Sequence, residues 1–227
     1  EASEYSPEVP KTLNATLRHY QLDGYHWMAR LNKWGAGALL ADDMGLGKTL
    51  QSIAFLLLQK EHGPSLVVAP ASVVPNWKSE IERFAPSLNV QILNFAQDRK
   101  EVIDNAGPGD VVVTTYGILL SVQDLITSKE WNVACLDEAH IIKNRGAKTS
   151  AAAMKIQAKN RIMLTGTPVQ NHLGELWNLF QFVNPGLLGT YEQFSQKFII
   201  PIEGNKDKDR QQVLDDLVHP FMLRRTK

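Results

Sequence analysis

The feature that most constrains the fold is a series of short apolar runs, at residues 36–40, 66–69, 90–93, 111–115, 133–136 and 161–164, separated by spans with helical spacing. Runs this short and this apolar suit strands buried on both faces, and the spans between them are long enough for helical crossovers. The pattern predicts an α/β fold: a parallel sheet with helices on both faces, followed by C-terminal helices. A chain of 227 residues fits one such unit with additions better than two equal domains.

In chain order, residues 1–16 read as a lead-in, 17–171 as the motif-bearing core and 172–227 as a helical extension. Leu17, Tyr20, Gly24, Trp27, Met28 and Leu31 recur at helical spacing. Residues 50–59 form a helix whose second half, Ile53 to Leu58, is apolar on all sides, as expected of a helix packed on a sheet. Further helices are expected at 76–84, with Trp77, Ile81 and Phe84 on one face, and at 98–105, 117–126, 173–183, 191–198 and 211–217. Residues 203–209 read as a charged loop, and no strand is expected beyond Asn171.

Between the first strand and its helix lies Asp42-Asp43-Met44-Gly45-Leu46-Gly47-Lys48-Thr49. Glycines here let successive backbone N–H groups face an anion, the Lys48 ammonium reaches outer phosphates, and the Thr49 hydroxyl suits Mg²⁺. The usual loop reads G-x-x-x-x-G-K-[ST], and Asp42 stands in place of its first glycine.

In an open parallel sheet, ligands sit outside the carboxyl ends of the strands. Three polar clusters occupy such ends: the phosphate loop, Asp137-Glu138-Ala139-His140 and Thr165-Gly166-Thr167. Asp137 fits the shell of a metal ion and Glu138 the orientation of an attacking water. An acidic pair after a strand is otherwise a helix cap, a reading the phosphate loop outweighs. His140, two residues beyond Glu138, is either a surface histidine or a link to the neighbouring loops. Thr114 and Thr115 add hydroxyls at another strand end. The histidines show no metal-ligand spacing and Cys135 has no cysteine partner, so no zinc site is expected, and Cys135 reads as a small buried hydrophobe.

Together these motifs resemble the first motor lobe of the Swi/Snf-type DNA translocases of helicase superfamily two. The resemblance extends to Leu17 through Gly24 with Trp27, to Val67 through Pro70 with Asn76 and Trp77, to Thr114-Thr115-Tyr116, and to Pro220 through Arg225. It implies a RecA-like P-loop lobe that binds ATP with Mg²⁺ and tracks along double-stranded DNA without separating its strands, on chromatin or other protein–DNA complexes. By the same resemblance Gln21 reads adenine, residues Asp43 to Thr49 hold the phosphates, and Thr49 and Asp137 serve the metal. Lys48, Asp137 and Glu138 serve catalysis, while Thr165, Gly166, Thr167, His140, Lys143, Thr114 and Thr115 couple hydrolysis to DNA. His19 departs from the proline frequent in the family. A second RecA-like lobe, bearing the arginine fingers, is implied outside these residues, so this chain alone should hydrolyse ATP slowly or not at all.

Charge alone does not select a partner, since basic and acidic residues both total 24. Locally, Lys143, Arg145, Lys148, Lys155, Lys159 and Arg161 occur with no acidic residue between Ala139 and Gly174, which suits either a solvated face or phosphate contacts near Thr165. No apolar run approaches the ~20 residues that span a bilayer. The lone Cys135 and the absence of a signal-peptide pattern point to an intracellular protein, in the cytoplasm or nucleoid of a bacterium or the nucleus of a eukaryote. The start at Glu1 and the end at Lys227 read as those of a fragment. Two other functions fit the same letters: a strand-separating helicase lobe, or a nucleotide-stabilised interaction module using exposed aromatics such as Trp177 and Tyr191, which at helical spacing also suit a core.

Overall fold

The computed structural model describes residues 5–142, 147–166 and 172–227. Seven parallel strands form one sheet, in the order β3-β4-β2-β5-β6-β1-β7. They are β1 (Ala38–Leu40), β2 (Ser65–Ala69), β3 (Asn89–Ile92), β4 (Asp110–Thr115), β5 (Glu130–Leu136), β6 (Gln157–Leu164) and β7 (Met222–Leu223). The helices are α1 (His19–Lys33), α2 (Lys48–Leu58), α3 (Val74–Phe84), α4 (Arg99–Asn105), α5 (Tyr116–Ser121), α6 (Gln123–Thr127), α7 (Lys148–Met154), α8 (Leu173–Val183), α9 (Tyr191–Phe194) and α10 (Lys208–Val218).

Successive strand residues point to opposite faces, so each buried strand feeds two cores. On one face Leu40, Val67, Ala69, Val133, Cys135 and Leu164 pack with Tyr25 and Met28 of α1, Phe55 of α2 and Trp77 of α3. On the other, Leu39, Leu66, Val68, Leu136 and Met163 pack with Leu119, Ala152 and Phe180 from α5, α7 and α8. This double coverage is why the strands read as unbroken apolar runs. Burying one such Val, Leu or Ile side chain is worth about 1.5–3 kcal/mol. Cys135 lies fully buried in β5, and burial pushes its thiol well up.

Several expectations need correction. Strands do not stop at Asn171: β7 pairs in parallel with β1, Leu39 opposite Met222 and Leu40 opposite Leu223. Two residues carry no periodicity, so tertiary pairing alone makes this strand. The helix expected at 117–126 is two, α5 and α6, broken at Val122. The helix expected at 191–198 continues as a π-helical stretch from Ser195 to Gly204 that accommodates Pro201, in place of a loop from 203. Trp177 and Tyr191 are not free contact residues: their rings meet edge to face and the Trp177 indole donates to the Gly189 carbonyl.

The described part of the lead-in is strapped to α1. Tyr25 donates to the Glu8 carbonyl and Arg30 to that of Tyr5. No helix among the described residues is long and apolar enough to cross a membrane.

Candidate nucleotide site

Because β5, β6 and β1 are adjacent and parallel, their carboxyl ends lie side by side. Asp137-Glu138 leaves the first, Thr165-Gly166 the second and the phosphate loop the third. Gly166 adjoins the loop closely: a Cβ built on it would lie 3.3 Å from Met44 Cγ and 3.8 Å from Lys48 Nζ. The backbone N–H of Thr165, a fully buried residue, donates to the Leu40 carbonyl and ties two of the tips together. Thr167 and Lys143 lie outside the described residues.

Gly45 and Gly47 adopt φ of +86° and +85°, a left-handed backbone that an L side chain rarely takes. At Gly47 a Cβ would also strike Gln21 Nε2 at 2.4 Å. Gln21 is itself buried; its Nε2 donates to the Leu46 carbonyl, and its Oε1 accepts from the Arg18 backbone N–H. The N-terminal turn of α1 is thereby fixed against the loop. Lys48 Nζ donates to the carbonyls of Asp42 (2.7 Å) and Asp43 (3.4 Å), while Asp43, Gly45, Leu46 and Thr49 stay at least partly open to solvent and Met44 is 74% exposed.

Asp137 is buried at the end of β5, and both carboxylate oxygens are held: Oδ2 accepts from Trp77 Nε1 and Oδ1 from the Glu138 backbone N–H, each at 2.8 Å. Burial pushes its pKa up and the Glu138 carboxylate adds to this; the Trp77 and Glu138 hydrogen bonds and the Lys48 ammonium pull the other way. Trp77, which holds Asp137, packs in the same core as α2, the helix that Lys48 opens, so both groups belong to one face of the sheet. Glu138 takes a positive φ of 50°, a strained geometry for a non-glycine residue that turns the chain sharply off the strand. Its Oε2 lies 3.3 Å from His140 Nδ1, which links the acid to the following turn.

The other predicted contacts are placed differently. Thr114 is fully buried and donates to Asn94 Oδ1, whose amide in turn donates to Thr115 Oγ1; Thr115 also caps α5 at Ile118. These hydroxyls are engaged within the fold at the tip of β4, and β2 separates them from β5. Arg161 does not join a basic face near Thr165. It sits four residues earlier on β6, turned inward over the Phe182 ring, and donates to the carbonyls of Ile156 and Phe182.

Trp77 and Arg225 are the site residues whose roles sequence reasoning missed. Trp77 reads as plain core, and only its bond to Asp137 sets it apart. Arg225 donates through Nε and Nη2 to the two carboxylate oxygens of Asp42, at 2.9 and 2.6 Å.

Among the described residues no group of three His, Cys, Asp or Glu side chains could hold a metal ion unaided. The donors present, the Thr49 hydroxyl and the Asp137 carboxylate, are hard oxygens. They fit Mg²⁺, which takes one or two protein ligands and completes its shell with water and phosphate.

Comparison with known proteins gives a consistent result. The model of the SNF2-related domain family matches residues 20–227. A putative ATP-dependent helicase/translocase, YwqA of Bacillus subtilis, is 44% identical over all of this chain, which spans 25% of that protein. The TATA-binding protein-associated factor mot1 of Schizosaccharomyces pombe is 37% identical over 96% of the chain and 13% of its own length. The SWI2/SNF2 ATPase core of Sulfolobus solfataricus in complex with double-stranded DNA superposes with a TM-score of 0.90 at 42% identity, over 98% of this chain and 47% of that one. The chain thus spans a quarter or less of these two relatives and about half of the solved core.

Proposed function

This chain belongs to the SNF2-related domain family, and on that premise we propose that it is the ATP-binding first lobe of a motor that translocates along double-stranded DNA. The observation that carries the proposal is the convergence of the phosphate loop, Asp137-Glu138 and Thr165-Gly166 at three neighbouring strand ends, with Gly166 set close against Lys48 and Met44.

Each residue's part follows from its place. The loop amides after Gly45 cradle phosphate, helped by the positive end of α2. Lys48, now bonded to two loop carbonyls, exchanges them for phosphate oxygens when nucleotide enters. Gln21 lies beside the loop, where an adenine edge would meet its amide. Thr49 and Asp137 would hold Mg²⁺, which supplies neutralising charge for the phosphates. Glu138, steadied by its turn and by His140, orients the attacking water. Thr165 and Gly166, at the strand end beside the loop, and His140, bonded to Glu138, couple this centre to DNA, a role that Lys143 and Thr167 would share by the family resemblance, whereas Thr114 and Thr115 serve the fold. Efficient hydrolysis requires charge stabilisation from a second lobe, because these residues approach the phosphates from one side.

The DNA-bound Sulfolobus core supports duplex DNA as the partner, and DNA-bound proteins are the objects such a motor would move. An intracellular site of action follows from that substrate. The test uses the full-length protein: duplex DNA should stimulate its ATPase, and it should displace the third strand of a DNA triplex while leaving a forked duplex paired. Robust unwinding of the fork would replace this reading with that of a strand-separating helicase.

A further inference from the structure

Asp42 poses a problem for an anion site. It stands where the usual phosphate loop begins with glycine, it is fully buried, and its own backbone carbonyl accepts from the lysine meant for phosphate. A buried, unpaired carboxylate at that point would repel a triphosphate and would itself be costly to desolvate.

The C-terminal segment answers it. Beyond β7 the pairing with the β1 side continues into the loop: the Ala41 N–H donates to the Leu223 carbonyl at 2.7 Å and the Asp43 N–H to that of Arg225 at 3.0 Å. Arg225 closes on Asp42 with its backbone N–H and the two side-chain bonds already described. Its Nη1 donates to the Tyr20 carbonyl, and the guanidinium lies 5.6 Å from the centre of the Tyr20 ring. Through Nη2 it also bonds Gln51 Oε1 at 3.0 Å, and Gln51 Nε2 donates to the Gly47 carbonyl at 3.2 Å. The space for this is provided by Gly24, where a Cβ would lie 1.9 Å from Gln51 Oε1 and 2.9 Å from Arg225 Nη2.

We propose that Arg225 is a positioning residue for nucleotide. It neutralises Asp42 and, through Gln51, fixes the loop, so that the loop can accept triphosphate beside a buried carboxylate. The inference rests on the nucleotide reading above. It makes the adenine-side helix, the phosphate loop and the chain leaving β7 one connected unit.

The test compares binding of ATP and AMP, with Mg²⁺, by the full-length protein. Arg225→Met should weaken ATP binding about tenfold or more, a tenfold change being 1.4 kcal/mol, and AMP binding by a smaller factor. Asp42→Asn, which leaves the guanidinium in excess, should shift the ATP-to-AMP preference the opposite way, and the double variant should return near the wild-type ratio. Opposite signs are the signature, since loss of packing alone would lower both affinities together. Should Arg225→Met fail to fold, Asp42→Asn decides alone: an unchanged or lowered ATP preference overturns the inference. A wild-type protein that binds neither nucleotide overturns the functional reading with it. Wild-type binding, with the ratio unaltered in these variants, overturns the inference only.

Discussion

Replacing Trp77 with Phe separates the charge of Asp137 from its packing. The indole N–H donates to Asp137 Oδ2 at 2.8 Å in a fully buried setting, so Trp77→Phe removes one hydrogen bond to a carboxylate and leaves a small void. A hydrogen bond to a charged group contributes about 1.5–3 kcal/mol, and the void about 1–2 kcal/mol more. Burial raises the Asp137 pKa, so its contribution to folding is greatest below the ordinary carboxylate range and is lost as pH rises through the raised value. Trp77 opposes that loss by favouring the anion. Its removal therefore raises the pKa further and costs more at pH 8, about 2.5–5 kcal/mol, than at pH 3, below the ordinary carboxylate range, where about 1–2 kcal/mol of packing remains. Urea denaturation of both proteins at the two pH values measures the difference, and the acid limb of the ATPase profile should move to higher pH. Equal destabilisation at both values, with an unmoved acid limb, would refute the reasoning.

Other outcomes follow from the same contacts. Gly37→Ala should destabilise the fold by about 1–3 kcal/mol in urea melts, because a Cβ there would lie 2.1 Å from the Val183 carbonyl oxygen and disturb the bond from the Gly37 N–H to Asn184 Oδ1. Gln21→Ala should raise the KM for ATP about tenfold and erode discrimination against GTP, as loss of one buried amide contact implies, while leaving the loop glycines in place. Gly47→Ala should abolish nucleotide binding with little change in Tm, since the strain falls on a partly exposed loop, and a binding titration beside a melt would separate the two effects.

What could be read in the letters follows from how local each signal is. Strands β2, β4 and β5 are buried on both faces, so their residues are apolar without alternation and their runs announced them. The candidate phosphate loop was equally legible because its glycine, lysine and threonine stand at adjacent positions, Gly47, Lys48 and Thr49. β7 was not visible, because two residues become a strand only by lying against β1. Trp77 reaches Asp137 across 60 positions and Arg225 reaches Asp42 across 183, separations that no periodicity encodes. Arg161 misled for a related reason: a basic residue in a basic stretch looks exposed until Phe182 and two carbonyls claim it.

The most direct measurement is duplex-stimulated ATP hydrolysis by the full-length protein beside its Lys48→Ala variant. Wild-type hydrolysis should rise on adding duplex DNA, and the variant should lose about two orders of magnitude or more, as removal of a phosphate-binding charge from a preorganised site implies. Stimulated hydrolysis that survives in the variant would contradict the assignment of these strand ends to nucleotide.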